Sequence, residues 1–123
     1  MSPTPRPLVI KTTSGTERPE ATNQAFTVAA TAVAAGAEVS LWLTGESAWF
    51  ALPGRAADLV LEHAAPLADL LAAVLDGGRV TVCTQCAARR GIGPEHVLPG
   101  VRIAGAAAFV EETLAERAQA LVY

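Results

Sequence analysis

Apolar residues fall into short continuous runs separated by longer stretches with helical spacing. Leu8-Val9-Ile10 is the first such run, the mark of a strand covered on both faces, and it stops in the polar loop Thr12-Thr13-Ser14-Gly15-Thr16. Pro19 suits the first position of a helix. Phe26, Ala29, Ala30 and Val33 recur there at helical spacing, Asn23, Thr27 and Thr31 line another face, and Gly36 closes the helix. Val39 to Leu43 reads as a second strand ending in Thr44-Gly45-Glu46. A short helix over Ser47 to Leu52 follows, stopped by Pro53-Gly54, and Val60-Leu61 reads as a turn of extended chain.

Pro66 opens a clearer helix, with Leu67, Leu70, Leu71, Val74 and Leu75 on one stripe and Gly77-Gly78 at its end. Arg79 to Cys83 is a third strand, and Thr84 is placed to cap the helix after it, which Gly91 stops after barely two turns. Val101 to Ile103 is a fourth strand. Gly105 leads into a last helix over Ala107 to Gln119, with Val110, Leu114, Ala118 and Leu121 on one face, and Leu121-Val122-Tyr123 adds a terminal edge strand. Alternating strands and helices imply a mostly parallel sheet with helices on both sides. Residues 1–7 read as a flexible tail and residues 8–123 as a single domain.

Ligand sites in such sheets lie beyond the carboxyl ends of the strands. Three loops meet there: Thr12 to Thr16, Thr44 to Ser47, and Cys83 to Cys86. Cys83 falls at a strand end and Cys86 in the first turn of the next helix. Unpaired backbone N–H groups favour a thiolate at such a junction, which makes Cys83 the candidate nucleophile and Cys86 its companion. Thr13, Ser14 and Gly15, with Thr44, Gly45, Glu46, Thr84 and Gln85, form the candidate pocket or anion-binding set around the two thiols.

Composition narrows the chemistry. Hydrophobic residues make up 51% of the 123 positions, a large part of them alanine. The net charge is −3, and the eight arginines and one lysine are scattered, which argues against a nucleic-acid partner. His63 and His96 are the only histidines and are not at ligand spacing, so no metal is implied. No phosphate-binding glycine motif follows the first strand, and no cofactor is implied. No apolar segment reads as a signal peptide or a membrane span, and a Cys-x-x-Cys pair in such a chain reads as thiol chemistry in the cytoplasm.

Val82-Cys83-Thr84-Gln85-Cys86-Ala87-Ala88-Arg89-Arg90-Gly91-Ile92 resembles the V-C-x-x-C/A-x-x-A/R-R-G signature of the DsrE family of sulfur-relay proteins. Gly36 to Glu46 is similar to that family's G-h-e-V-x-l-f-l-x-G-d segment, and the ending, a helix followed by Leu121-Val122-Tyr123, also matches. The resemblance implies a three-layer α/β/α sandwich around a mainly parallel five-stranded sheet, assembled as a homo-oligomer, a trimer or a hexamer. It implies a sulfur carrier or sulfurtransferase-like protein forming a persulfide on Cys83, served by sulfur donor and acceptor proteins. Glu46-Ser47 departs from the Asp-Gly that many members carry there. Two other readings stay open: a homo-oligomeric binding module without catalysis, and a thiol oxidoreductase using Cys83 and Cys86. Trp42 reads as core, while Trp49 and Phe50 are placed either to wall a pocket above Cys83 or to pack in the core or between subunits. Glu111-Glu112 reads as a solvated helix face.

Overall fold

The computed structural model describes residues 4–123; of the tail assigned to residues 1–7, residues 1–3 lie outside the described residues and Pro7 already opens the first strand. Five strands, β1 (Pro7–Thr12), β2 (Glu38–Leu43), β3 (Arg79–Cys83), β4 (Val101–Ala104) and β5 (Gln119–Val122), form one sheet in the order β4-β3-β2-β1-β5, with every neighbouring pair parallel. Four α-helices connect them: α1 (Pro19–Ala34), α2 (Leu67–Gly77), α3 (Thr84–Arg89) and α4 (Ala106–Thr113). This is the α/β architecture that the strand–helix alternation implied.

The two faces of the sheet differ in chemistry. Ile10, Leu41 and Val80 are register partners across β1, β2 and β3, and they join Phe26 and Ala29 of α1 and Leu71 and Val74 of α2 in the main core. The pleat sends the intervening residues to the other face. One row there runs Val122, Lys11, Trp42, Thr81 and Arg102. Alternate positions along β3 are thus apolar beneath α1 and α2 and polar beneath α4.

α4 covers this second face only in part. The Trp42 and Phe109 rings meet edge to face at 5.3 Å between centroids, yet no residue of α4 is fully buried. The helix ends at Thr113, well short of the expected Gln119. Residues 114–118 instead turn the chain back, with Arg117 at φ 66°, so that Gln119–Val122 can pair with β1. Leu114 and Leu121 therefore never share a helical face.

Two other local expectations change. The segment after β2 is a 3-10 helix over Gly45–Ala51, beginning earlier and wound more tightly than the expected helix from Ser47. Thr84 does not cap α3; it is the first helical residue, and Cys83 itself occupies the N-cap position in extended conformation (φ −64°, ψ 130°). That one-residue offset places the sulfur, rather than a hydroxyl, over the free amides of the first turn.

Candidate functional site

Hydroxyl groups hold the two upper loops against each other. Thr12 Oγ1 and Ser47 Oγ are 2.8 Å apart, the Thr44 hydroxyl donates to the Thr12 carbonyl at 2.9 Å, and the Thr22 hydroxyl donates to the Gly15 carbonyl at 2.8 Å. Ser47 also donates to the Ser14 carbonyl. All four hydroxyl residues are buried, so each hydrogen bond also satisfies a group that would otherwise be stranded. Gly45 completes the junction. Its φ is 52°, and a Cβ there would stand 2.5 Å from the Thr13 carbonyl oxygen, so only glycine lets the loops approach this closely.

The approach builds a cleft of 410 Å³ over the carboxyl ends of β1, β2 and β3. Cys83, Cys86 and Gln85 line it from the third strand and α3, Thr44 and Gly45 from the second loop, and Thr13 from the first. Lys11, Trp42, Ala106 and Phe109 form its floor and far wall. The Lys11 ammonium lies 5.2 Å from the Phe109 ring centroid.

The two thiols are unequal. Both are free, Cys83 half-buried and Cys86 buried. The backbone N–H of Gly45 donates to Cys86 Sγ at 3.2 Å. Burial pushes the Cys83 thiol up, but the backbone N–H of Cys86, the Cys86 thiol, the backbone N–H of Gln85 and the field of Lys11 together bring it below the ordinary thiol value. Cys83 is thus the more accessible of the two, with a thiolate that its surroundings favour.

The profile of the DsrE/DsrF-like family matches residues 7–120. The chain belongs to that family. Two solved structures share the fold of this DsrE-like chain. The crystal structure of the ychN protein from E. coli aligns with a TM-score of 0.80 at 17% identity, covering 96% of this chain and 99% of that one. A protein of unknown function from Methanobacterium thermoautotrophicum, MTH1491, aligns with a TM-score of 0.64 at 10% identity, covering 98% and 100%. No curated protein matches the sequence.

Within this DsrE-like fold the residues singled out from the sequence divide between two places. Cys83, Cys86, Thr13, Thr44, Gly45 and Gln85 meet in the cleft. Gly15 and Glu46 instead line a separate 290 Å³ cavity with Trp49 and Phe50, Ser14 is buried in the hydroxyl junction, and Thr84 is exposed outside the cleft. The Thr13 and Gly15 amides are already engaged, Thr13 by the main-chain oxygen of Tyr123 at 3.0 Å and Gly15 by the Glu17 carboxylate.

Trp49 and Phe50 do not wall the thiol cleft. Phe50 is core, edge-on to Phe26 at 5.7 Å, and Trp49 is half-buried beneath the Arg55 guanidinium at 4.6 Å. Glu112 is no solvated residue either. Its carboxylate accepts from Ser40 Oγ at 2.5 Å, Trp42 Nε1 at 3.1 Å and Arg102 Nη2 at 2.5 Å, with Arg79 at 3.7 Å. Burial raises the Glu112 carboxyl, but these donors and the Arg102 charge bring it below the usual carboxylate range. The network fastens α4, and with it Phe109 and Ala106, over the sheet.

Lys11, Trp42, Ala106 and Phe109 line the cleft without the sequence marking them as site residues. A signal for Lys11 is present: it is the only lysine and lies at a strand's carboxyl end. Phe109 offers none, because its place depends on how α4 crosses the sheet.

Proposed function

We propose that this protein is a DsrE-type sulfur carrier that holds a persulfide on Cys83. The observation that carries the reading is the Cys83 sulfur itself, at the N-cap of α3 and half-exposed at a cleft that no carboxylate lines. The Cys83 thiolate attacks the outer sulfur of a donor persulfide. A new Cys83 S–S bond forms, the donor's S–S bond breaks, and the donor sulfur leaves with the electron pair and takes the proton of the persulfide. Delivery is the same displacement run onto an acceptor thiolate. Neither direction needs an external oxidant or reductant.

Donor and acceptor proteins, a cytoplasmic setting that keeps both thiols reduced, and a closed homo-oligomer belong to this reading. Among the described residues no helix is long and apolar enough to cross a membrane. Intact-mass measurement after incubation with a persulfide donor tests the function. The wild type should gain one sulfur atom and Cys83→Ser none; equal gain in both, or none in either, removes the reading.

One observation favours a second reading, a dithiol oxidoreductase: the two free thiols line the same cleft, three residues apart across the β3–α3 junction. There Cys83 would attack a substrate disulfide, and Cys86 would displace the resulting mixed disulfide. The substrate would gain two electrons and two protons while the Cys83–Cys86 disulfide forms.

A further inference from the structure

We propose that Cys83, besides exchanging sulfur with partner proteins, reacts with small molecules that carry an anionic group near the reactive sulfur, and that Lys11 is the residue that selects them. This assignment deepens the carrier reading and rests on it for the nature of the reacting sulfur. Its basis is the placement of charge around the cleft. The chain has twelve acidic residues and a net charge of −3, yet none of the twelve lines the thiol cleft. The neighbouring cavity near Trp49 has the opposite character, with Glu17, Glu46 and Asp58 on its walls.

Lys11 is half-buried and, among the described residues, makes no ion pair. The other cations near this face are committed. Arg102 and Arg79 face Glu112, and Arg90 faces Glu46 at 3.6 Å. What holds the Lys11 ammonium is the Phe109 ring, a contact that fixes its position without neutralising it. Register supports the same placement: Lys11 pairs with Trp42, so its side chain leaves the sheet on the face where Cys83 also lies.

The remaining donors narrow the ligand. The Thr13 hydroxyl donates to the Tyr123 main-chain oxygen at 2.8 Å and the Thr44 hydroxyl to the Thr12 carbonyl, while the Gly45 amide is taken by Cys86. Lys11 and the Gln85 amide are left to meet a ligand. A cleft of 410 Å³ has the size of a small-molecule site. Trp42, Phe109 and Ala106 offer a short apolar portion something to pack against. The fitting substrate class is a persulfide of a small thiol bearing a carboxylate or similar anion: the anion on Lys11, the sulfur on Cys83.

A matched pair of alkylating agents tests the selection without any persulfide chemistry. Iodoacetate and iodoacetamide attack the same thiolate and differ essentially in one negative charge, so a change in Cys83 ionisation cancels in the ratio of their rates. At Cys83, located by peptide mapping, the iodoacetate-to-iodoacetamide ratio should exceed that of the denatured chain by about tenfold, the effect of one charge-assisted contact. Lys11→Met should return the ratio to the denatured value, and Lys11→Arg should keep most of it. Should Lys11→Met fold poorly, the wild type in rising salt tests the same point, because the excess should collapse between about 0.02 and 1 M.

A native ratio equal to the denatured one, or one indifferent to both Lys11→Met and salt, overturns the assignment. The carrier reading fails separately. If the ratio behaves as stated but no donor places sulfur on Cys83, anion selection stands and the persulfide does not.

Discussion

The Gly45 amide donates to the Cys86 sulfur across 3.2 Å, tying the loop after β2 to the first turn of α3. In that bond the Cys86 sulfur is the acceptor, buried under the loop. Two neighbouring cysteines thereby sit in different surroundings. Cys83 takes the N-cap, half-exposed at the cleft, while Cys86 lies buried beside it and accepts from Gly45.

The first consequence is reactivity. Because the Cys83 thiol lies below the ordinary thiol value, it should be alkylated near neutral pH faster than a free thiol, whose pKa is about 8.5. A rate-against-pH profile at Cys83 should have its midpoint below that of the denatured chain. The same shift affects stability, with the sign set by the lowered native value. The contribution is complete above the unfolded thiol pKa and declines as pH falls through the native one. A profile centred on the free-thiol value would remove the activation described above.

Replacing Cys86 separates the two chemistries. Cys86→Ser keeps a hydroxyl donor to Cys83, so the variant should still accept one sulfur atom, detectable by intact mass. Cys86→Ala deletes the donor and should move the Cys83 midpoint upward. If Cys86→Ser loses sulfur loading entirely, and the wild type only cycles between dithiol and disulfide, the oxidoreductase reading takes the first place.

Gly45 carries a steric prediction. Ala at this position would keep a φ of 52° and meet the Thr13 carbonyl oxygen at 2.5 Å. Gly45→Ala should therefore destabilise the fold by about 1–3 kcal/mol in denaturant unfolding. Loosening the loop junction should also make Cys86 easier to alkylate. Full stability with unchanged Cys86 protection would contradict the close approach.

Glu112 connects fold stability to acidity. Its native pKa lies below the unfolded carboxylate value of about 4.3, so its contribution is complete at neutral pH and is lost as pH falls through the native value. Glu112→Gln should destabilise the protein at pH 7 by about 2 kcal/mol, since Arg102 and Arg79 lose their counter-charge. The difference should shrink in acid, where the wild-type carboxyl is protonated too. A thermal-unfolding series across pH checks both points, and a constant gap would mean the carboxylate charge contributes nothing.

Much of this fold is legible in the sequence because its elements are set by local rules. The apolar stripe from Leu67 to Leu75, the runs ending at Ile10 and Leu43, and Pro19 and Gly36 at the ends of α1 all stand as their patterns imply. Cys83 is legible because a strand end is visible in sequence. The misreadings share one cause, dependence on a distant partner. Glu112 looks solvated until Arg102 and Trp42 arrive from other elements, and residues 114–118 continue a helical pattern until pairing with β1 takes the following segment for the sheet. Lys11 likewise acquires its meaning from Phe109, nearly a hundred positions along the chain.

Assembly is the remaining expectation, and the exposed apolar residues are not the ones the sequence offers for it. Of Trp49 and Phe50, for which contact between subunits is one expectation, Phe50 is in the core and Trp49 is half-buried within the chain. Val60 apart, the exposed large apolar residues lie on α4, on the turn after it and on the β5 edge. Leu114 is 78% exposed and Val122 65%, with Val110 also open. Val122 is the register neighbour of Lys11 on the same face of the sheet, and β5 ends the sheet with one edge unpaired. Copies related by symmetry around this side would cover the apolar residues and shield Cys83 together. Light scattering at micromolar concentration should accordingly give a multiple of the 12.6 kDa chain mass. Leu114→Glu, on a largely solvated side chain in the monomer, should lower that multiple without lowering the unfolding midpoint of the separated chain. A wild-type mass of one chain would leave this surface without a partner copy, and an unchanged multiple in Leu114→Glu would place the contact elsewhere.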